Sequence, residues 1–197
     1  YQSSTSLKFL NHCKNYSNEI IEKFRLNKKN FVIEIACNDG YMLNFFKEKN
    51  IPHLGIEPTD TVKVAKKKGI NVDKAFFSLE YAKKYVRQKP KADIIIANNV
   101  LAHVPDIIDF VKGLKIILKK NGCIVFEFPH ILNLLKNNLF DTIYHEHYSY
   151  LSLLFLQNLF DTLELKIISL KEINIHGGSL RLFVSHKESK LNSDNSI

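Results

Sequence analysis

Hydrophobic and polar positions repeat along the chain with two different periods. Short apolar runs rich in β-branched residues occur at FVIEIA, PHLGIEP, INVDKAFF, ADIIIANN and GCIVFEFP. Between them lie stretches whose apolar residues return with helical spacing: YMLNFFKEK, the lysine-rich stretch that ends at Lys68, SLEYAKKYVRQ and IDFVKGLKIILKK. Strands that alternate with helices of this length predict crossover connections, a mainly parallel sheet and helices on both of its faces. We therefore expect an α/β protein.

The two ends of the chain follow this pattern less regularly. Residues 7–24 carry apolar side chains close to the spacing of one helix face, which predicts an N-terminal helix. Beyond Phe140 the pattern predicts a helix at SLLFLQNLFDTL, a strand at LKIISLKEI, a glycine turn at HGGS and a strand at LRLFVSH.

The composition, 45% hydrophobic and 24% charged residues, is typical of a globular domain. No apolar run approaches the ~20 residues of a membrane helix, so we expect a cytoplasmic protein without a membrane partner. The three cysteines, Cys13, Cys37 and Cys123, have no metal-like spacing, which favours buried free thiols.

The net charge of +8 raises the question of a nucleic-acid partner. Because the lysines are dispersed in small groups such as Lys66, Lys67 and Lys68, we interpret them as solvated helix faces and expect no nucleic acid. The positive field would instead favour an anionic small substrate.

The first predicted strand and its turn are the place to look for a cofactor, since ligands of open parallel sheets bind beyond the carboxyl ends of the strands. VIEIACNDGYML has a single glycine, Gly40, and lacks the three-glycine pyrophosphate fingerprint. Glu57 ends the second predicted strand, where a carboxylate can accept hydrogen bonds from ribose hydroxyls. Taken alone, Glu57 is equally explained as an acid near a helix N-terminus. A ribose site without a pyrophosphate site suggests S-adenosylmethionine.

At these residues the sequence resembles the class I S-adenosylmethionine methyltransferases, with EIACNDG in place of a glycine-richer ExGxGxG loop. The resemblance implies a Rossmann-like fold in which the second-strand acid holds the ribose, the third strand flanks the adenine and the fourth strand meets the methionine portion. Phe76 and Phe77 follow the third predicted strand, and for at least one of them core packing is the alternative. The fourth strand leads into ANNVLAHVPD rather than an Asn/Asp-Pro-Pro-aromatic motif, which disfavours methylation of nucleic-acid bases. The implied cofactor-binding residues are Ala36, Asn38, Gly40, Tyr41, Glu57, Pro58, Phe76, Phe77, Asn98 and Asn99.

A closer resemblance is carried by ANNVLAHVPD, VFEFPH, FDTIYHEHYSYLSL and IHGGSLR in this order. They resemble the sugar C-methyltransferases that act on nucleotide-linked 4-keto-deoxysugars. The resemblance implies a methyltransferase domain at 29–175, preceded at 1–28 by a helix and linker that follow a zinc-binding domain, and followed at 176–197 by the start of a C-terminal domain or a tail. Zinc would then belong only to the N-terminal domain, which this sequence does not contain. We expect a monomer whose partner is the nucleotide-linked sugar.

The segment FDTIYHEHYSY concentrates titratable and hydroxyl groups that suit methylation of carbon. Carbon beside a ketone becomes nucleophilic only when a base removes a proton and donors stabilise the enolate oxygen. The resemblance implies His147 as the base, with Tyr144, Glu146 and His103 around it, and Glu146 could alternatively orient an imidazole.

These residues also have simpler explanations. His145, His147 and His130 could bind a metal, although no metal site is expected from their spacing. His103 could be a surface residue at a helix start, Tyr148 and Tyr150 favour packing, and His176 belongs to the glycine turn. For the whole chain, the alternatives are a small-molecule O- or N-methyltransferase and a cofactor-binding module that is inactive as an isolated domain.

Overall fold

The computed structural model describes residues 7–175 and 177–196 and contains a sheet of seven strands in the order β3-β2-β1-β4-β5-β7-β6. The first five strands run parallel, and β7 is antiparallel to both β5 and β6. The expected α/β class is confirmed. The strands are β1 Val32–Ile35, β2 His53–Glu57, β3 Val72–Lys74, β4 Ala92–Asn98, β5 Leu118–Pro129, β6 Leu165–Ile173 and β7 Ser179–His186.

Helices cover both faces of this sheet, as the pattern predicted. Residues of α1, α2 and α3 share one buried apolar cluster, while residues of α4, α5 and α7 share the cluster on the opposite face. Cys13, Cys37 and Cys123 are buried and free, which confirms the expectation for the thiols. The helices are α1 Leu7–Lys23, α2 Leu43–Glu48, α3 Val62–Lys67, α4 Leu79–Tyr85, α5 Ile107–Ile117, α6 Ile131–Lys136 and α7 Leu153–Thr162.

The boundary between α5 and β5 differs from the prediction, which continued the helix through Lys120. The helix ends at Ile117, and Leu118 already has an extended backbone and pairs with Ala92 of β4. The Lys119 side chain reaches Asp93 at 2.7 Å. The helical spacing of Leu118, Lys119 and Lys120 is therefore overridden by the pairing of Leu118 with β4 in the sheet.

The carboxyl ends of β1, β2 and β4 lie side by side in the sheet order, so the loops that follow them converge. Two 3₁₀ turns, Leu101–His103 and Phe140–Thr142, lie in the connections after β4 and α6.

After β7, residues 187–196 return along β6, the strand at one margin of the sheet. The amide of Asp194 donates to the carbonyl of Ile168, and the amide of Leu170 donates to the Ser196 hydroxyl, both at 2.9 Å. Lys23 of α1 forms an ion pair with Asp194 at 3.2 Å. Within the described residues no helix is long and apolar enough to cross a membrane.

Candidate active site

The loop between β1 and α2 has an unusual backbone. Ala36, Asn38 and Gly40 all have positive φ angles, of 55°, 51° and 76°. A side chain at Gly40 would place its Cβ only 2.8 Å from Cγ1 of Ile70. Glycine is therefore required here by both the backbone conformation and the close packing of the loop.

Glu57 ends β2, as predicted, with its carboxylate buried beside this loop. One oxygen accepts hydrogen bonds from the amide of Thr59 at 2.9 Å and from its hydroxyl at 2.6 Å. The other accepts from the amide of Asn38 at 2.9 Å. A carboxylate offers about four acceptor positions, so these bonds leave capacity for a further donor such as a ligand hydroxyl. Pro58, which follows the carboxylate in sequence, is half-buried.

The two phenylalanines after β3 have different surroundings. Phe77 packs against the core, with its ring centroid 5.4 Å from that of Phe110 and 5.8 Å from that of Tyr81. Core packing of at least one phenylalanine was expected, and Phe77 confirms it. Phe76 is 82% exposed and presents its ring on the surface. Only Phe76 is therefore free to present an open ring face to a ligand.

Two half-buried asparagines end β4. The amide of Asn99, with φ of 50°, donates to the carbonyl of Glu127 at 2.7 Å. The side chain of Asn98 lies between α1 and α2, because its oxygen accepts from the Tyr16 hydroxyl and its nitrogen faces Sδ of Met42 at 3.6 Å. On the β1 side, the half-buried ring of Tyr41 lies 5.3 Å from that of Phe9 in α1.

These strand ends fit a ligand with ribose hydroxyls, a flat base and a polar end. The buried carboxylate of Glu57 at the end of β2 retains acceptor capacity. The exposed ring of Phe76 lies after the adjacent strand β3, and the side-chain amide of Asn98 lies at the end of β4, on the other side of β1. The single glycine in the first loop gives no pyrophosphate cradle.

His147 is held by contacts on both ring nitrogens. Nδ1 lies 2.8 Å from the carbonyl oxygen of Thr142, which can only accept, so a neutral imidazole carries its proton on Nδ1. Nε2 is then the unprotonated nitrogen and accepts from the Tyr144 hydroxyl at 3.1 Å. The fold thus presents the lone pair of His147 next to a phenol, the arrangement of a base beside a proton donor.

His103 approaches the same imidazole from the 3₁₀ turn after β4. The two ring centroids are 4.7 Å apart, and Nδ1 of His103 contacts the carbonyl oxygen of Glu146 at 3.0 Å. Burial, followed by the proximity of His147, lowers the pKa of His103 below 6.5. His103 is therefore neutral at pH 7. The structure brings together all four residues predicted for catalysis, but Glu146 contributes its main-chain carbonyl to this contact, while its side chain is exposed.

Of the other aromatic residues of this segment, Tyr150 lies edge-on to His147 with a centroid distance of 6.0 Å. His145, Tyr148 and Tyr150 are all exposed. In the part of the chain that the structure describes, no three His, Cys, Asp or Glu side chains converge as metal ligands would. His176 lies outside the described residues; the adjacent Gly177 and Gly178 both have positive φ.

An apolar cavity of about 320 Å³ opens beside this segment, between α6 and the following 3₁₀ turn. Thr142 and Tyr150 belong both to its wall and to the surroundings of His147. Several apolar side chains around it are exposed, among them Leu135, Phe140 and Ile143.

Sequence reasoning missed three charged residues near these strand ends. Glu34 of β1 is buried, and Glu127 of β5 and Arg181 of β7 form a buried ion pair at 2.7 Å. A charged residue inside an otherwise apolar strand, as in VFEFP and LRLFV, could have indicated such buried groups. The pairing of Glu127 with Arg181 could not be predicted in this way, because it depends on the order of the strands in the sheet. Thr59 stands two residues after Glu57, and this spacing could likewise have indicated that Thr59 donates hydrogen bonds to the Glu57 carboxylate.

Comparison with known proteins gives a consistent result. The sequence profile of a family described as a methyltransferase domain matches residues 10–170. The C-methyltransferase NovU of Streptomyces niveus is 30% identical over 186 residues, which cover 94% of this chain but only 44% of that relative.

Among solved structures, the PH0226 protein of Pyrococcus horikoshii OT3 superposes with a TM-score of 0.76 at 11% identity, covering 95% of both chains. The magnesium protoporphyrin IX methyltransferase of Synechocystis PCC 6803 with bound SAH gives 0.67 at 11% identity, covering 90% of this chain and 82% of the other. At such low identity the solved structures show a shared fold.

Proposed function

The chain belongs to the S-adenosylmethionine-dependent methyltransferases, and from this premise we propose that it methylates carbon beside a ketone of a nucleotide-linked deoxysugar. The observation that carries the proposal is the fixed tautomer of His147, with its lone pair on Nε2 beside the Tyr144 hydroxyl. The name of the C-methyltransferase relative supports carbon as the acceptor. Since the chain spans less than half of that relative, the activity of the whole protein is part of the proposal.

The strand ends would hold the cofactor. Glu57 would accept hydrogen bonds from the ribose hydroxyls, Phe76 would lie along the adenine, and Asn98 and Asn99 would contact the methionine portion. The loop residues Ala36, Asn38, Gly40 and Tyr41 would shape the floor beneath it, with Pro58 next to Glu57 in sequence. When bound, the cofactor supplies an electrophilic methyl group.

His147 would remove the proton from carbon beside the ketone. The Thr142 carbonyl holds the single proton of the neutral imidazole on Nδ1, which leaves the lone pair on Nε2. The lowered pKa of His103 keeps a second positive charge away from the imidazole that becomes protonated. Tyr144 can offer a hydrogen bond to the enolate oxygen, whereas neutral His103 carries its proton on Nδ1, toward the Glu146 carbonyl, and presents an acceptor at Nε2. Proton removal to Nε2 would leave an enolate; its carbon would take the methyl group of the bound cofactor as the methyl–sulfur bond breaks, which would leave S-adenosylhomocysteine and restore the ketone.

The proposal is tested with His147→Ala in the full-length natural protein, incubated with a nucleotide-linked 4-keto-deoxysugar in deuterated water. Loss of the base should reduce both solvent exchange at the carbon beside the ketone and methyl transfer by about 100-fold or more. Mass spectrometry of the sugar measures both, and calorimetry should find S-adenosylmethionine affinity nearly unchanged.

His145→Ala is the matched control, because His145 is an exposed histidine of the same segment. It should retain exchange and transfer. If His147→Ala also retains both, His147 is structural and the proposed base is wrong. Methyl transfer to oxygen or nitrogen without carbon–hydrogen exchange in the wild-type protein would contradict the proposed reaction itself.

A further inference from the structure

The buried pair of Glu127 and Arg181 has no role in the chemistry proposed above, although it lies directly behind the strand ends. The two residues are paired across β5 and β7, and Nε and Nη2 of Arg181 donate to one carboxylate oxygen at 2.9 and 2.7 Å. His12 contacts the other oxygen at 2.9 Å. Burial alone would raise the pKa of Glu127, but the bond from His12 and the charge of Arg181 lower it. The pair is therefore ionised and fixed in place.

Arg181 in turn fixes an aromatic residue of α1. Its guanidinium carbon lies 3.6 Å from the centroid of the Tyr16 ring, a cation–π contact removed from solvent. Its remaining terminal nitrogen donates to Glu19 on the same helix at 2.9 Å. Stacking and ion pairing together give Tyr16 one position against the sheet.

From this position Tyr16 reaches the end of β4. Its side chain is fully buried, and its hydroxyl donates to the side-chain oxygen of Asn98 at 3.1 Å. Burial raises the pKa of Tyr16 well above 10, so the hydroxyl keeps its proton. Because the amide oxygen is engaged by Tyr16, the amide nitrogen of Asn98 must face the other way, where one contact is Sδ of Met42. An amide nitrogen has two protons, and the second is available to a ligand acceptor.

We propose that Tyr16 is a positioning residue for the cofactor: held by the Glu127–Arg181 pair, it fixes the Asn98 amide so that its N–H faces a carboxylate acceptor on the bound ligand. The inference rests on the proposed function, which places Asn98 at the methionine portion. It also assigns a positioning role to the VFEFPH and HGGSLR segments, because they contain Glu127 and Arg181.

The test is Tyr16→Phe, which removes the hydroxyl and retains the ring on Arg181. We expect the Kd for S-adenosylmethionine and its KM to rise about five-fold, as loss of one net hydrogen bond implies, while kcat and the melting temperature remain close to wild type. Tyr85→Phe is the matched control, because Tyr85 is also buried and donates to the Pro90 carbonyl at 2.9 Å on the opposite core face. It should leave Kd unchanged.

A double-mutant cycle with Asn98→Ala separates the inference from the proposed function. Asn98→Ala should weaken binding, and Tyr16→Phe should have no further effect in that background. If Asn98→Ala weakens binding but Tyr16→Phe does not, or if the two effects add, the positioning role is wrong and the cofactor placement stands. If Asn98→Ala binds S-adenosylmethionine like wild type, both the placement of Asn98 and the inference are overturned.

Discussion

At the scale of single residues, Glu34 is a carboxyl group whose charged form is disfavoured by its surroundings. It stands in the middle of β1, fully buried, and one of its carboxylate oxygens has no hydrogen-bond partner among the described residues. Burial, followed by the negative charges of Glu57 and Asp39, raises its pKa well above 4.5. The sequence places Glu34 in an apolar strand, but the acidic neighbours that raise its pKa are brought to it only by the folded sheet.

We expect Glu34→Gln to become relatively more stabilising as pH rises. Above pH 4.5 the unfolded chain releases the Glu34 proton while the folded chain retains it, so wild-type stability falls with pH in the window that begins there. Glutamine has no such dependence. The difference in melting temperature, variant minus wild type, should therefore be larger at pH 8 than at pH 5, whereas exposed Glu22→Gln should show no such trend. An equal difference at both pH values would contradict a raised pKa.

At the scale of elements, the hydrophobic pattern predicted the seven strands and the helices α1 to α5 and α7, because burial on one or both faces leaves a clear period. It missed the six-residue α6. It failed where two periods coincide: Ile116, Ile117 and Leu118 suit a helix face equally well as a buried strand. The contact of Tyr144 with His147 was predictable because both residues belong to one segment, whereas His103 was expected beside them only from the family resemblance. The contact of Tyr16 with Asn98 was not, because the two residues are 82 positions apart and meet only after the sheet has formed.

Gly40, in the loop after β1, and Gly69, between α3 and β3, provide a matched test of backbone geometry. Gly40→Ala combines a positive φ of 76° with a collision with Ile70, so we expect a loss of about 1–3 kcal/mol in the free energy of unfolding. Gly69→Ala has a similar φ of 73°, but its Cβ meets only the flexible end of Lys47, so its loss should be smaller. Urea denaturation measures both. Equal losses would show that the collision at Gly40 contributes nothing.

At the scale of the whole molecule, the cofactor should act as a stabilising ligand because the residues proposed to bind it lie at the ends of four strands of one sheet, β1 to β4. Their convergence was predictable from the rule that parallel strands end at the same edge. Their surroundings were not: the bonds from Asn38 and Thr59 that orient Glu57 depend on the exact turn.

We therefore expect S-adenosylmethionine and S-adenosylhomocysteine, but not NAD, to raise the melting temperature of the chain. Glu57→Ala should weaken binding by about 1–3 kcal/mol, the cost of losing hydrogen bonds to a charged group, and so reduce this rise. Exposed Glu80→Ala on α4 should retain it. Thermal melts at several ligand concentrations give the affinities; a rise with NAD equal to that with S-adenosylmethionine would contradict the cofactor assignment.

The segment 187–196 affects how readily the protein aggregates at high concentration. A strand at the margin of a sheet offers unpaired main-chain groups to any neighbouring chain, and such pairing can propagate into intermolecular fibrils. Here the carbonyl of Ile168 and the amide of Leu170 are already occupied by Asp194 and Ser196. The opposite margin is β3, with only three residues. Within the described residues neither margin therefore offers a long free template, and we expect the returning segment to hinder aggregation by strand addition.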